Sequence, residues 1–208
     1  MQLKTSQKIY LPFKRFFDIL LTSLVIIVFG WLYLILAIII KCTSKGPVFF
    51  KQKRIGKNKK TFYILKFRTM RIDTPKDVPT HLLENPEAYI TKVGKFLRKT
   101  SLDELPQVFN IFVGQMSIVG PRPALWNQFD LIEERDRYGA NYIRPGLSGW
   151  AQCHGRDTLP IPEKAKLDGY YVEKFNLWMD IKVIFLTAIQ AFVGKDEVEG
   201  KKENEKNY

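Results

Sequence analysis

The chain has 208 residues, enough for one domain, or for one domain and a membrane anchor. Its 33 Lys and Arg outnumber its 21 Asp and Glu and give a formal net charge of +12, so we expect anionic partners: nucleic acid, anionic lipid or phosphorylated small molecules. Cys42 and Cys153 lie far apart and are flanked by no other ligand types. This spacing excludes a cysteine zinc motif and a disulfide framework, and it fits a reducing compartment.

Residues 1–41 are predicted to form a membrane anchor. They begin with basic residues, and no charged residue occurs from Ile19 to Ile40. As a helix this segment would be about 33 Å long, enough to cross a hydrocarbon core of about 30 Å. Arg15 and Asp18, just before it, would share one face of the helix and are expected to pair.

The charges on both sides of the anchor decide between two topologies. The segment from Lys41 to Arg71 contains many Lys and Arg and no Asp or Glu, so both flanks are basic. Basic flanks remain in the cytoplasm, whereas a straight span would export one of them. The pattern therefore favours a re-entrant hairpin, with a break near Gly30, over a straight span.

The remaining pattern indicates an α+β, helix-rich fold with interfacial amphipathic helices. A catalytic domain is predicted for residues 42–193 and a disordered charged tail for residues 194–208. The last helix, Leu177–Val193, suits either the core or a membrane surface. The other predicted elements are strands at Val48–Lys51 and Thr61–Phe67, a strand before Arg122, and helices at Ala88–Lys99, Ala124–Tyr138 and Glu163–Lys174.

Two adjacent carboxylates, Asp103 and Glu104, lie at a predicted helix start capped by Thr100 or Ser101. Carboxylates are favoured at a helix N-terminus, and the free N–H groups there attract phosphate oxygens. The alternative is a capping box in which Glu104 bonds back to the main chain of Ser101 and does no chemistry. The spacing alone favours the capping box.

Basic side chains on both sides of this acidic pair are candidate phosphate ligands. Lys66 and Arg68 close an apolar strand, while most other lysines of the basic stretch suit lipid headgroups. Arginines held in rigid turns can bind two phosphate oxygens at once, although each could instead pair with a carboxylate. The remaining candidates are Arg98, just before the acidic pair, and Arg122, Arg144 and Arg156, in or beside Pro/Gly turns.

The order and spacing of these motifs resemble the small monotopic bacterial phosphoglycosyl transferases, the initiating sugar-phosphate transferases of surface-glycan assembly. The resemblance runs from about Lys14 to Val193, and Gly30-Trp31 stands where that family often has Ser-Pro. The motifs that carry it are Lys14-Arg15-Phe16-Phe17-Asp18, Lys66-Phe67-Arg68-Thr69-Met70, Ser101-Leu102-Asp103-Glu104-Leu105-Pro106-Gln107, Val119-Gly120-Pro121-Arg122-Pro123 and Gly149-Trp150-Ala151-Gln152.

The resemblance implies transfer of a sugar 1-phosphate from a UDP-sugar to polyprenyl (undecaprenyl) phosphate, with release of UMP. It implies Mg²⁺ held by Asp103, Asp103 as the nucleophile that forms a phosphosugar-aspartyl intermediate, assistance by Glu104, and Asp168 as a supporting acid. It places the protein at the cytosolic face of the bacterial cytoplasmic membrane, in the first membrane step of polysaccharide assembly. A second copy of the chain is a candidate partner, and nucleic acid is not. The alternative is a non-catalytic, membrane-anchored basic adaptor that binds nucleic acid or anionic lipid.

Overall fold

The computed structural model describes residues 3–75, 83, 85–155 and 159–193 and has the expected helix-rich α+β fold. The tail at 194–208 and most of the polar stretch at 76–84 lie outside the described residues. The helices are α1 (Thr5–Thr43), α2 (Lys92–Lys99), α3 (Gln107–Phe112), α4 (Phe129–Arg137), α5 (Ile161–Lys174) and α6 (Leu177–Val193). The strands are β1 (Phe49–Ile55), β2 (Thr61–Phe67), β3 (Ser117–Val119) and β4 (Gly146–Ser148).

The long helix α1 contains the predicted anchor. Its length and composition are sufficient to cross a membrane, and only 11% of its most apolar stretch is buried. The helix continues through Gly30, so the expected hairpin with a break at that position is not confirmed. A glycine keeps its main-chain N–H, unlike a proline, and it therefore removes no hydrogen bond from the helix.

The expected pair between Arg15 and Asp18 does not form, because each side chain binds the main chain of the catalytic domain instead. Arg15 donates to the carbonyl oxygens of Ile111 and Phe112 at 2.6 and 2.7 Å. Asp18 accepts a 2.9 Å hydrogen bond from the Ile118 N–H. The last carbonyls of a short helix have no partner within the helix, so a guanidinium that reaches them is well placed. These bonds attach the first half of α1 to α3 and β3.

Strands β1 and β2 form an antiparallel hairpin that places Lys66 beside the acidic pair. Their register runs from Phe49 opposite Phe67 to Ile55 opposite Thr61. The predicted bounds of β2 are confirmed, whereas β1 continues past the predicted Lys51 because its partner strand does so. The alternate side chains of β2 enter the core, where Phe67 packs near α1.

Strand β4 pairs with β3 in parallel, Ser117 opposite Gly146 and Val119 opposite Ser148. Only a turn is predicted here, since a three-residue strand rich in Gly shows no alternation. A Cβ on Gly146 would lie 2.1 Å from the main-chain N of Gly120, so only glycine permits this approach. The pairing fixes the start of the turn that carries Arg122.

The predicted helices are present with shifted starts. Helix α2 begins at Lys92, because the Thr91 side chain caps the Gly94 N–H at 2.9 Å. Helix α4 begins at Phe129 and α5 at Ile161. Helix α6 has the predicted bounds, and it has one buried and one exposed face, since Val183 is buried whereas Trp178 is 77% exposed. Its position at a membrane surface is not confirmed.

Candidate active site

Asp103 and Glu104 lie in a one-turn 3-10 helix, Leu102–Glu104, just before α3. The preceding Ser101 adopts φ 55° and its side chain makes no capping bond, so the capping box, the alternative interpretation of this acidic pair, is absent. The left-handed conformation of Ser101 turns the chain sharply between α2 and the acidic pair, and for a non-glycine residue it is uncommon. The Glu104 side chain is therefore available for other partners.

Glu104 accepts hydrogen bonds from two cations that come from distant parts of the sequence. Lys66 Nζ lies 2.6 Å and Arg122 Nη2 lies 3.2 Å from Glu104 Oε1. Burial opposes ionisation, but the charges of Lys66 and Arg122 and their hydrogen bonds prevail and hold the pKa of Glu104 well below its ordinary value. Glu104 is thus a carboxylate at neutral pH and orients both cations.

Asp103 is 8% exposed and faces the same lysine. Its Oδ2 lies 3.8 Å from Lys66 Nζ, beyond hydrogen-bonding distance but within the range of a strong charge interaction. One ammonium group therefore lies between two carboxylates that have different environments. The Glu104 carboxylate accepts hydrogen bonds from both Lys66 and Arg122, whereas Asp103 lies farther from Lys66 than Glu104 does.

The turn that carries Arg122 is held by two other arginines through its main chain. Arg135 Nη1 donates to the Arg122 carbonyl oxygen at 2.9 Å, and Arg54 Nη1 donates to the Pro123 carbonyl oxygen at 3.0 Å. Arg135 is itself bound by Asp168 through its Nε at 2.8 Å. Sequence reasoning missed Arg135 and Arg54, because neither stands in a Pro/Gly turn or beside the acidic pair.

Asp168, predicted as a supporting acid, is 1% exposed and forms a buried pair with Arg135. Burial raises the pKa of Asp168 above its ordinary value, and the adjacent charge of Arg135 opposes that rise. The carboxylate thus depends on Arg135 to remain ionised. Its influence on the acidic pair passes through Arg135 and the Arg122 turn.

Two of the predicted phosphate ligands bind neighbouring main chain or side chains. The guanidinium of Arg68 donates to the carbonyl oxygens of Ser44 and Lys45, both at 2.8 Å, where the chain leaves α1. Arg98, in the last turn of α2, donates from Nε to Thr69 Oγ1 at 2.9 Å. Both arginines organise the segments around the hairpin end, and their roles toward a substrate remain predictions.

Of the remaining predicted arginines, Arg144 is not brought to the acidic pair. Arg144 Nε donates to the Gly114 carbonyl oxygen at 2.9 Å, beyond the C-terminus of α3, whereas Asp103 precedes its N-terminus. Arg156 lies outside the described residues. The structure thus assembles Lys66 and Arg122 around the dyad, and it places Arg144 elsewhere.

The dyad fits the way proteins hold Mg²⁺. Mg²⁺ usually binds one or two carboxylates and completes its coordination with water and substrate phosphates. Asp103 and Glu104 provide that number, and no group of three or more His, Cys, Asp or Glu converges within the described ranges. The donor set therefore suits a metal that arrives with a phosphorylated substrate better than a permanently caged ion.

Comparison with known proteins decides the family. A family model described as bacterial sugar transferase matches residues 9–194. The chain belongs to the bacterial sugar transferase family. A member from Klebsiella pneumoniae, named UDP-glucose:undecaprenyl-phosphate glucose-1-phosphate transferase, is 40% identical over 200 residues, which cover 90% of this chain and 42% of the relative. A member from Aeromonas hydrophila, named UDP-N-acetylgalactosamine-undecaprenyl-phosphate N-acetylgalactosaminephosphotransferase, is 40% identical over 194 residues, 89% of this chain and 45% of the relative.

The chain thus spans less than half the length of these two family members. A member of similar length, the uncharacterised sugar transferase EpsL of Bacillus subtilis, is 35% identical over 182 residues and is covered to 88%, as is this chain. The names of the two longer members specify different sugars at equal identity. Similarity within the family therefore supports the type of reaction, leaves the sugar open and gives no support to a non-catalytic adaptor.

Proposed function

We propose that the protein transfers a sugar 1-phosphate from a UDP-sugar to undecaprenyl phosphate and releases UMP. The observation that carries the proposal is the arrangement of Asp103, Glu104, Lys66 and Arg122, which puts two carboxylates and two cations in one cluster. Carboxylates can attack phosphorus, and cations neutralise the charge on the transferred group. Family membership and the exposed apolar helix α1 support a lipid-linked acceptor.

The reaction proceeds in two steps that share one side chain. In the first, a carboxylate oxygen of Asp103 attacks the phosphorus that bears the sugar, and the phosphoanhydride bond to UMP breaks. In the second, a phosphate oxygen of the polyprenyl phosphate attacks the phosphosugar-aspartyl group, which restores the Asp103 carboxylate and leaves a lipid diphosphosugar. Each step exchanges one P–O bond for another, and a covalent route divides one transfer into two easier steps.

Glu104 serves as the organising carboxylate and not as a second nucleophile. Its bonds to Lys66 and Arg122 hold both cations beside Asp103, where charge develops on the transferred phosphoryl oxygens. Bound Mg²⁺ supplies further charge neutralisation on the phosphates, and Asp103 and Glu104 would hold it. The substrate diphosphate competes with Glu104 for Arg122, whose 3.2 Å contact is the longer of the two.

We further propose that the anchor returns to the side from which it enters, as the basic flanks indicate. Both halves of α1 contact the region of α3: Arg15 binds Ile111 and Phe112, and Tyr33 Oη donates to the Leu105 carbonyl oxygen at 2.8 Å. On a straight helix Arg15 and Tyr33 would be about 27 Å apart. Their contact points, Ile111 and Leu105, are separated by only six residues, which span about 9 Å as a helix. The long side chains of Arg15 and Tyr33 cover part of this difference, and we infer that curvature of α1 between them covers the rest.

The deciding experiment incubates the membrane-bound protein with radiolabelled UDP-sugars in the absence of lipid acceptor. We expect label to remain on the protein through denaturation, and UMP to appear in equal amount. Asp103→Asn should lose both signals, whereas Glu104→Gln should lower their rate and retain labelling. Subsequent addition of undecaprenyl phosphate should move the label from protein to lipid.

Two results would reject the mechanism. If Asp103→Asn turns over at the normal rate, Asp103 is not the nucleophile. If a panel of UDP-glucose, UDP-galactose and their N-acetylated forms yields neither UMP nor labelled protein, the transferase activity itself is excluded for these donors.

A further inference from the structure

A cavity of about 40 Å³ lies between the first half of α1, strand β3 and residues 142–144, apart from the acidic dyad. A bound water needs about 10–15 Å³ on this measure, so the cavity has room for a small polyatomic group. The dyad precedes the N-terminus of α3, whereas the cavity residues Arg15 and Arg144 bind carbonyl oxygens at and just beyond its C-terminus. Six residues of helix, about 9 Å, separate the two places.

The wall of the cavity is strongly cationic. Its ionisable side chains, apart from tyrosines, are Lys14, Arg15, Lys57, Arg144 and the single carboxylate Asp18. A second carboxylate, Asp180, does not line the cavity but pairs with Lys14. The local balance of these groups is therefore +2, which an anion would offset.

Several donors that face this cavity have no partner of their own. Lys57 is exposed and forms no ion pair among the described residues, and the two η nitrogens of Arg144 bond to none of them. Ser117 is fully buried, and within the described part of the chain its hydroxyl has no hydrogen-bond partner. A buried hydroxyl without a partner lowers stability, and a hydrogen bond to a ligand oxygen would remove that penalty.

The guanidiniums of Arg15 and Arg144 are also crowded against one residue. A Cβ on Gly114 would lie 3.3 Å from Arg15 Nη2, and the Gly114 carbonyl oxygen accepts the Arg144 Nε hydrogen bond. The two positive charges repel one another, and an anion between them would offset that repulsion. Arg15 already donates both η nitrogens to main-chain carbonyls, so the two η nitrogens of Arg144 are the ones that suit the tetrahedral oxygens of phosphate.

We propose that this cavity binds a phosphate group, either of a phospholipid headgroup or free in solution, at a site separate from the Asp103–Glu104 dyad. The uncharged part of α1 begins at Ile19, directly after the cavity residue Asp18, so the cavity lies where the chain would meet the headgroups. The site needs no turnover and is independent of the transferase reaction.

The test measures the unfolding temperature of the full chain in detergent as inorganic phosphate replaces chloride at constant ionic strength. A saturable rise of about 3–5 °C is expected at tenfold excess over the dissociation constant. Lys57→Ala should weaken phosphate binding roughly three- to tenfold. The matched control is Lys60→Ala. Lys60 lies three residues after Lys57, is also exposed and does not line the cavity, so its removal should leave the phosphate response unchanged.

Ser117→Ala separates binding from structural support. Without phosphate this variant should be as stable as the parent or more stable, since it removes an unpartnered buried hydroxyl. Its phosphate response should nevertheless be weaker. A parallel arm in nanodiscs compares phosphatidylcholine with mixtures that contain phosphatidylglycerol. If phosphatidylglycerol stabilises the protein, inorganic phosphate does not, and the effect requires Lys57, the lipid headgroup is the source of the phosphate.

Three outcomes would overturn the proposal. The first is no saturable stabilisation in either arm. The second is an equal loss in Lys57→Ala and Lys60→Ala, which indicates general charge screening. The third is a response that Arg122→Ala abolishes and Lys57→Ala retains, which places the phosphate at the dyad.

Discussion

Arg135 holds Arg122 by its main chain: Arg135 Nη1 lies 2.9 Å from the Arg122 carbonyl oxygen, while the Arg122 side chain reaches Glu104. The buried Asp168 fixes Arg135 in turn through its Nε and Nη2, at 2.8 and 2.5 Å. A fixed carbonyl limits where the side chain of the same residue can point. The orientation of the Arg122 side chain therefore depends on the buried Arg135–Asp168 ion pair, which does not contact the Asp103–Glu104 dyad.

We accordingly predict that Arg135→Lys lowers the rate of UMP release at saturating substrate by about tenfold or more. A lysine can keep the pair with Asp168, but it has no planar fork with which to hold the Arg122 carbonyl at the same time. The measurement is the turnover rate and the KM for UDP-sugar, together with the unfolding temperature.

The matched control is Arg137→Lys in the same helix, where the arginine is exposed and pairs only with Glu134 at 2.9 Å among the described residues. It should leave all three quantities unchanged. If Arg135→Lys keeps full turnover while its unfolding temperature falls, Arg135 supports stability alone and does not position Arg122.

A second prediction concerns pH and the contact between the β1–β2 hairpin and α4. Asp136 accepts hydrogen bonds from Lys59 and from Asn141, both at 2.8 Å. Burial favours the neutral carboxyl and would raise the pKa of Asp136, but these two contacts outweigh it and lower the pKa below its ordinary value. A carboxyl with a lowered pKa adds stability above its unfolded pKa of about 3.9 and loses it as the pH falls through the folded pKa.

The wild-type protein should therefore be more stable than Asp136→Asn by about 0.5–1 kcal/mol between pH 5 and 8. The difference should shrink below about pH 4, as the protonated Asp136 comes to resemble the amide. Urea unfolding of both proteins across this range measures it. A difference that persists unchanged well below pH 4 would show that the ionised carboxylate of Asp136 contributes nothing.

The parts of the site that the sequence predicts are those in which neighbouring residues carry the signal. Asp103 and Glu104 are adjacent, and Arg122 stands in a rigid Pro/Gly turn, so both are visible as local patterns. Arg135 and its partner Asp168 are thirty-three residues apart in helices of mixed charge, and only packing brings them together. No local pattern distinguishes such an arginine from a solvated one.

The contacts of Arg68 and Arg144 show a second limit: no local pattern reveals that both guanidiniums bind main-chain carbonyl oxygens, and their phosphate role stays a prediction. A guanidinium fork suits carbonyl oxygens as well as phosphate oxygens, and in this fold both arginines lie next to carbonyls that helices and turns leave without a partner. The helical pattern was more reliable: α6 has the bounds that its apolar periodicity predicts. The break predicted at Gly30 is not confirmed, because α1 continues through this residue.

A third prediction tests whether α6 lies at the lipid surface. Trp178 is 77% exposed beside other exposed apolar side chains of α6, whereas Trp150 is 9% exposed. The fluorescence of Trp178 and of Trp150 is obtained by subtracting the emission of the Trp178→Phe and Trp150→Phe variants from that of the wild type. In liposomes, lipids brominated near the headgroup should quench the Trp178 emission and leave the Trp150 emission unchanged. Equal quenching of both, or quenching of neither, would contradict an interfacial α6.

The topology of the anchor gives the last prediction, and the chain provides one reporter. Cys42 is exposed near the end of α1, and Lys8→Cys adds an exposed thiol near its start, in a background with Cys153→Ser. Because both flanks of the uncharged segment are basic, we expect a membrane-impermeant maleimide to label both thiols in inverted vesicles and neither in right-side-out vesicles. A straight span would expose one thiol in each preparation. Detergent-solubilised protein is the control, in which both must react, and labelling on opposite sides would reject the re-entrant anchor while leaving the chemistry of the dyad untouched.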